Sequence, residues 1–256
     1  MDFIVSASTD AGNVKTVNQD CMNVQLLETR GRQLAFAVVC DGMGGLQRGE
    51  LAGASVLHGF RRWREERLPI LLMSGFCDND IRHDWNCIIG DCNEKLKDYG
   101  RRNGVSLGTT ATVMLITQER YYVANVGDSR AYEIRGQIRQ ITKDQTLVAR
   151  EIELGRLRPG QEETDPRRNV LLQCIGASKE VYADFYFGTP CTDTVYMMCS
   201  DGFRHKLSEE EMLTWLKPGS MCSAEKMQWN ERALIGLVKE RGERDNITVV
   251  TIRTYG

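Results

Sequence analysis

Proline is scarce, with five in 256 residues. No low-complexity segment, internal repeat or linker-like stretch accompanies it, so the sequence predicts a single domain over 1–256. Histidine is scarcer still, with three residues, none paired at i+4. Nine cysteines include no CxxC pair, which argues against a zinc site of the Cys/His type. Their odd number, and the position of Cys21, Cys40, Cys174 and Cys199 in or beside apolar runs, points to reduced, buried thiols in a cytoplasmic protein. No apolar run approaches the roughly 18–20 residues of a membrane span. The start, Met1-Asp2-Phe3-Ile4-Val5, lacks the basic and long apolar regions of a signal peptide. Neither sign of charge dominates: 33 Lys and Arg face 35 Asp and Glu, for a net charge of -2. That balance offers no electrostatic case for nucleic acid or an anionic membrane as partner.

What the chain does have is strand-length apolar runs. Residues 34–40, 111–116 and 195–199 are nearly continuous, the pattern of strands buried on both faces. Residues 121–126 and 248–252 are rich in β-branched and aromatic side chains. Two short runs around Gly136 predict a hairpin, and 4–8 and 22–27 are further strands. Helical periodicity covers 51–67, 80–102 and 223–241, with Ser223 as an N-cap. Ser208 to Glu211 opens a short helix as a capping box. Strands and helices are segregated along the chain, which favours an α+β class over a regular βαβ alternation. The stretch 145–190 lacks clear periodicity and predicts an irregular flap over a site.

Four acidic motifs sit against the ends of apolar runs: Asp41-Gly42-Met43-Gly44-Gly45, Gly127-Asp128-Ser129-Arg130, Ser200-Asp201-Gly202 and Asp245-Asn246. In antiparallel sheets the end of one strand neighbours the start of the next, so these aspartates can share one edge, and Asp20 can join them. Clustered carboxylates repel unless a cation neutralises them. Oxygen-only donors select hard cations such as Mg²⁺ and Mn²⁺. Four or five carboxylates exceed what one Mg²⁺ takes from protein. Two ions about 3.5–4 Å apart, sharing one bridging carboxylate, match the count and suit phosphoryl transfer. Gly42, Gly44 and Gly45 allow the tight turn that would bring a carbonyl to the metal.

At this point the residues resemble a known pattern. Thr9-Asp10-x-Gly12, Asn18-Gln19-Asp20, the Asp41 block, Gly108-Thr109-Thr110, Asn125-Val126-Gly127-Asp128-Ser129-Arg130, Thr142-Lys143-Asp144, Ser200-Asp201-Gly202 and Asp245-Asn246-Ile247-Thr248 occur in the order found in the metal-dependent protein serine/threonine phosphatases of the protein phosphatase 2C (PP2C) family, in their bacterial form. The resemblance spans almost the whole chain. It implies a central antiparallel β-sandwich flanked by helices on both sides, in α–β–β–α layers, with metals at one end. It implies that Asp41 bridges two Mg²⁺ or Mn²⁺ ions. Asp201 and Asp245 would complete the first ion, the Gly42 carbonyl would serve the second, and Asp20 would hold metal-bound waters. Asp128 with Asp201 would form a third, weaker site. A hydroxide bridging the two metals would hydrolyse phosphoserine and phosphothreonine on proteins phosphorylated by a bacterial serine/threonine kinase, with the chain acting as a monomer.

Departures from the pattern are specific. Lys15 stands where the family has a phosphate-holding Arg, offering a point charge in place of a planar fork. Gln19 replaces a common Glu, and Gln145 a common His. Met43 stands where eukaryotic members place a candidate general acid, and it cannot transfer a proton. His205 reads as a hydrogen-bonded histidine at a helix entry. Arg167-Arg168 reads either as a substrate contact or as a solvated pair. Lys15 and Gln19 keep a second reading open: a catalytically weak or inactive regulatory or binding module on the same fold. A nuclease or polymerase is disfavoured by a pI near 6.0 without a basic stripe.

Overall fold

The computed structural model describes residues 1–29, 31–43, 48–161 and 164–256. Ten strands form two five-stranded sheets. The first holds β1 (Asp2–Asp10), β10 (Ile247–Tyr255), β9 (Thr194–Cys199), β6 (Arg130–Ile134) and β7 (Ile138–Gln140), in that spatial order. The second holds β2 (Cys21–Thr29), β3 (Arg32–Cys40), β4 (Ala111–Ile116), β5 (Tyr121–Val126) and β8 (Asp184–Gly188). Every pairing is antiparallel.

The continuous apolar run of β3 has a simple cause. Successive side chains point to opposite faces, and both faces are covered. Ala35, Ala37 and Val39 face the other sheet, where they meet Tyr196, Val250 and Ile252. Leu34, Phe36, Val38 and Cys40 face a helical layer. That layer contains α1 (Gly49–Arg62), a π-helical turn (Trp63–Arg67), α2 (Leu68–Ser74) and α3 (Asp78–Asn103). Phe60, Trp63 and Trp85 from it pack around Phe36. On the opposite side, α6 (Glu209–Leu216) and α7 (Ala224–Glu240) cover the first sheet through Met212, Leu216, Leu234 and Val238. The layers are therefore α–β–β–α, an α+β fold.

The predicted N-caps hold. The Ser223 hydroxyl accepts the Lys226 N–H, and Ser208 and Glu211 form the reciprocal box. The first helical segment runs longer than its periodicity suggests, continuing through the π-helical turn to Ser74. The stretch 145–190 is also more regular than predicted. It contains α4 (Leu147–Glu153), capped by the Thr146 hydroxyl, and the edge strand β8, which pairs with β5. Gly44 and Gly45, to which the sequence assigns part of the tight turn after Asp41, lie outside the described residues.

Candidate active site

Strand ends assemble the acidic residues. Cys21 at the start of β2 faces Cys40 at the end of β3, so Asp20 and Asp41, one residue outside each, are neighbours. In the other sheet Cys199, the last residue of β9, faces both Val249 of β10 and Arg130 of β6. Asp201 lies two residues beyond Cys199, opening α5 (Asp201–Arg204), and Asp245 lies two residues before β10. Asp128 sits where the chain crosses from β5 in one sheet to β6 in the other. All five thus emerge at one end of the sandwich, across the seam between the sheets. Each of the other four acts electrostatically on Asp41.

Backbone contacts hold this arrangement. The Asp41 N–H donates to Thr110 Oγ1 at 2.9 Å, and its carbonyl accepts the Thr110 N–H at 2.9 Å and the Thr109 hydroxyl at 3.0 Å. Thr110 Oγ1 lies 2.9 Å from Ser129 Oγ, tying Asp41 to the Asp128 turn. Two of the motif glycines are required by close approach. A Cβ on Gly42 would come within 2.5 Å of the Gln19 carbonyl oxygen, and one on Gly202 within 2.1 Å of the Asn246 carbonyl oxygen.

Asn246 staples the loop that carries Lys15 and Asp20. Its Oδ1 accepts the Gln19 N–H at 2.9 Å, and its Nδ2 donates to the carbonyls of Ala11 and Val17 at 3.0 and 3.1 Å. Glu243 Oε1 accepts the N–H groups of Arg244 and Asp245, shaping the turn that presents Asp245. Sequence reasoning assigned no role to Glu243 and none to the Asn246 side chain. Both are short-range turn formers whose partners become visible only when the strands are paired.

The electrostatics are those of an under-neutralised cluster. Burial raises Asp20 to about 7, against the pull of the Thr248 and Ser200 hydroxyls, and Asp201 and Asp245 push the same way. Neither hydroxyl makes a well-formed hydrogen bond to it. Thr248 Oγ1 is paired with Thr9 Oγ1 at 2.7 Å, and Ser200 Oγ accepts the Thr248 N–H at 3.0 Å. Both carboxylate oxygens of Asp20 are buried without a partner. Burial, then Asp20, Asp201, Asp128 and Asp245, hold Asp41 well above the usual carboxylate range. Asp128 is pushed up to about 7 by burial and by Asp201, while Arg204 pulls it down.

Cationic and imidazole groups border the cluster. Lys15 Nζ lies 3.1 Å from Asp245 Oδ1, so the residue expected to hold phosphate rests on an expected metal ligand. His205 stands 3.8 Å from both Asp201 Oδ2 and Glu243 Oε2, too far for a good hydrogen bond to either. Burial pulls its pKa below the ordinary value, outweighing the carboxylates. Arg204 Nη2 donates to the Asp128 carbonyl at 3.3 Å and reaches Asp144 Oδ2 at 3.5 Å. Sequence reasoning missed Arg204, whose only signal was a basic residue three positions after Asp201. Arg167 is paired with Asp165 at 2.8 Å, while Arg168 acts electrostatically on His205.

Gln145 joins the flap to the site. Its Oε1 accepts the Gly127 N–H at 2.9 Å and Gln173 Nε2 at 2.8 Å, and its Nε2 donates to Asp184 Oδ2 at 2.9 Å.

The donor set suits hard divalent cations. Asp20, Asp41, Asp201, Asp245 and the Gly42 carbonyl offer only oxygen, and the partnerless Asp20 oxygens are a standing cost that a cation and its waters would offset. Among the described residues no three acidic, imidazole or thiol groups converge tightly into a ready-made cage. Mutual repulsion opposes such convergence, and Lys15 already draws on Asp245. Around Asp128 the match is poorer, because a guanidinium stands beside the carboxylates there.

Comparison with known proteins bears on the fold and the family. A sequence profile of the protein phosphatase 2C family matches residues 23–161. The serine/threonine phosphatase stp of Listeria welshimeri is 30% identical over 253 residues, covering 95% of this chain and 93% of that protein. The solved serine/threonine phosphatase of S. agalactiae superposes with a TM-score of 0.82 at 25% identity, covering 99% of this chain and 100% of that one. A structure of the catalytic domain of the serine/threonine protein phosphatase PstP, in complex with two manganese ions, has the same fold, with a TM-score of 0.76 at 23% identity over 99% of both chains.

Proposed function

This chain belongs to the protein phosphatase 2C family, and from that premise we propose that its strand-end carboxylates hold two divalent cations, manganese or magnesium, to hydrolyse phosphoserine and phosphothreonine monoesters on proteins. It is a metal-dependent protein serine/threonine phosphatase. Asp41, Asp201, Asp245 and the Gly42 carbonyl would hold the ions, and Asp20 would hold their waters. The count of two is supported by the manganese-bound relative. The single observation that carries the assignment of residues is Asp20. A buried carboxylate with both oxygens unpartnered, beside a second carboxylate held far above its usual pKa, is costly unless a cation is part of the design.

When bound, the ions would supply an acidified water and offset charge on the phosphoryl oxygens. The chain's own residues do the rest. Thr109 and Thr110 fix the Asp41 backbone, so the carboxylate is presented without rearrangement. Lys15, on a loop stapled by Asn246, exchanges Asp245 for a phosphoryl oxygen of the substrate, which it can meet with a single charge-assisted bond. Met43 carries no proton and cannot act as general acid toward the leaving serine or threonine oxygen. Cys40, although next to Asp41, is buried, and burial drives its thiol far up, so it offers no thiolate for a phosphoenzyme.

We place the enzyme in the cytoplasm, acting as a monomer and as one domain on proteins phosphorylated by a serine/threonine kinase. Nine unpaired thiols are in keeping with a reducing compartment, and no helix among the described residues is long and apolar enough to cross a membrane. A regulatory module without turnover gains no support from a cluster whose only evident use is to bind cations. The test is phosphate release from a phosphothreonine peptide with Mn²⁺, with Mg²⁺ and with EDTA, beside Asp41→Asn. Release that needs metal and disappears in the variant is expected. Metal-independent release, or full release by Asp41→Asn, would sink the assignment.

A further inference from the structure

The acidic cluster is neutralised unevenly. On one side, Lys15 lies against Asp245, while Asp20 and Asp41 are governed by burial and by the other carboxylates. On the other, Asp128 and Asp144 are met by two arginines. Arg130 already holds Asp144 in a bidentate pair, with Nε and Nη2 each 2.7 Å from a carboxylate oxygen. Arg204 is therefore not needed to satisfy Asp144, and its approach there, at 3.5 Å, is long. Its guanidinium is instead fixed over the Asp128 turn through the Asp128 carbonyl. The side chain is only 12% exposed, and Nε is buried without a partner. An arginine under-bonded in this way is held by position and field more than by hydrogen bonds, and Asp128 is a carboxylate that feels its charge.

Resting on the two-ion reading above, we propose that Arg204 is a tethered third cation. It occupies the electrostatic place at Asp128 and Asp201 that the family resemblance gives to a third, weaker metal ion, so this chain binds two ions and excludes a third. A divalent ion drawn to Asp128 and Asp201 would face the guanidinium across the same carboxylates. α5 is one short turn that starts at Asp201 and ends at Arg204, so the cation is built into the same element as the acid it serves. It also pins the Asp128 turn while leaving the Asp20 and Asp41 side open to metal.

The test is metal stoichiometry, not activity. Mn²⁺ bound per chain is measured by equilibrium dialysis and elemental analysis as free Mn²⁺ rises to millimolar. Wild type should saturate at two ions. Arg204→Gln, which keeps a donor for the Asp128 carbonyl but removes the charge, should gain a third, and Arg204→Lys should stay at two. Circular dichroism of each variant confirms a folded chain, and Asp128→Asn in the Arg204→Gln background should return the count to two. A third ion on wild type, or Arg204→Gln remaining at two, overturns the assignment and leaves the two-ion site standing. Fewer than two ions on wild type overturns both.

Discussion

Glu231 and Asp20 are both carboxylates withdrawn from water, and their surroundings differ in one respect. Glu231, on α7, is fully buried, and its oxygens are filled. Oε2 accepts the hydroxyls of Ser6 and Ser8 at 2.8 Å each, and Oε1 that of Thr251 at 2.6 Å. Ser6 and Ser8 lie on one face of β1, and Thr251 is the register partner of Ser6 on β10. Asp20 is almost as buried, at 8% exposure, and neither of its oxygens is held by a well-formed hydrogen bond. Hydroxyl donors let a sheet and a helix share a carboxylate as a structural joint. Empty lone pairs in an equally dry place mark a carboxylate kept for something outside the chain. Burial alone does not separate the two cases; the inventory of donors does.

The comparison breaks most visibly through activity. Asp41→Asn, in the unfilled group, should lower phosphate release by more than about 100-fold, the upper end of what partners outside a ligand set contribute. The same variant should melt higher than wild type in EDTA, because a repelling charge has gone. Loss of activity together with a lower melting point would mean that Asp41 serves the fold. Glu231→Ala should do the reverse. It strands three buried hydroxyls, so urea unfolding should show a loss of about 1–3 kcal/mol while the Mn²⁺ affinity of the folded protein stays unchanged.

A pH series sharpens the contrast. Asp20 has a folded pKa of about 7, above the ordinary value of 3.8. The folded state therefore holds more protons than the unfolded one across that window. The associated stability is present below about pH 4 and is lost as pH rises through about 7. In EDTA the melting temperature should fall between pH 5 and pH 8 by about 2–4 °C, equivalent to roughly 1 kcal/mol for a chain of this size. Asp20→Asn should flatten that slope, and an unchanged slope in the variant would refute Asp20 as its source. The smallest effect is expected at Lys15→Arg. A planar fork in place of a point charge should lower KM for a phosphopeptide a few-fold with little change in kcat. A change confined to kcat would place Lys15 elsewhere in the reaction.

Much of this was legible in the sequence, for physical reasons. Asp41 and Asp201 announced themselves because apolar runs end abruptly beside them, and a strand must end where its burial ends. β3 could be read as buried on both faces because both sets of alternate residues are apolar. Other features depend on pairing. β8 is a five-residue edge strand whose existence rests on β5 beside it, so 145–190 looked patternless. Arg204 and Lys15 are long side chains on short turns, and their partners lie far along the chain. Glu231 appeared as one more charged position on an amphipathic helix, because the hydroxyls that bury it belong to strands more than two hundred residues earlier and twenty residues later.

The pairing of β1 with β10 has a consequence in time. β1 is an edge strand whose sole neighbour in its sheet is β10, and the Lys15 loop is fastened by Asn246. β1 must wait for β10, made long after it, before it has a partner. Asp245, part of the proposed metal site, arrives in the same late segment. A chain made only as far as β9 therefore cannot dephosphorylate anything: catalytic competence and the pairing of β1 come in one step, with the making of β10.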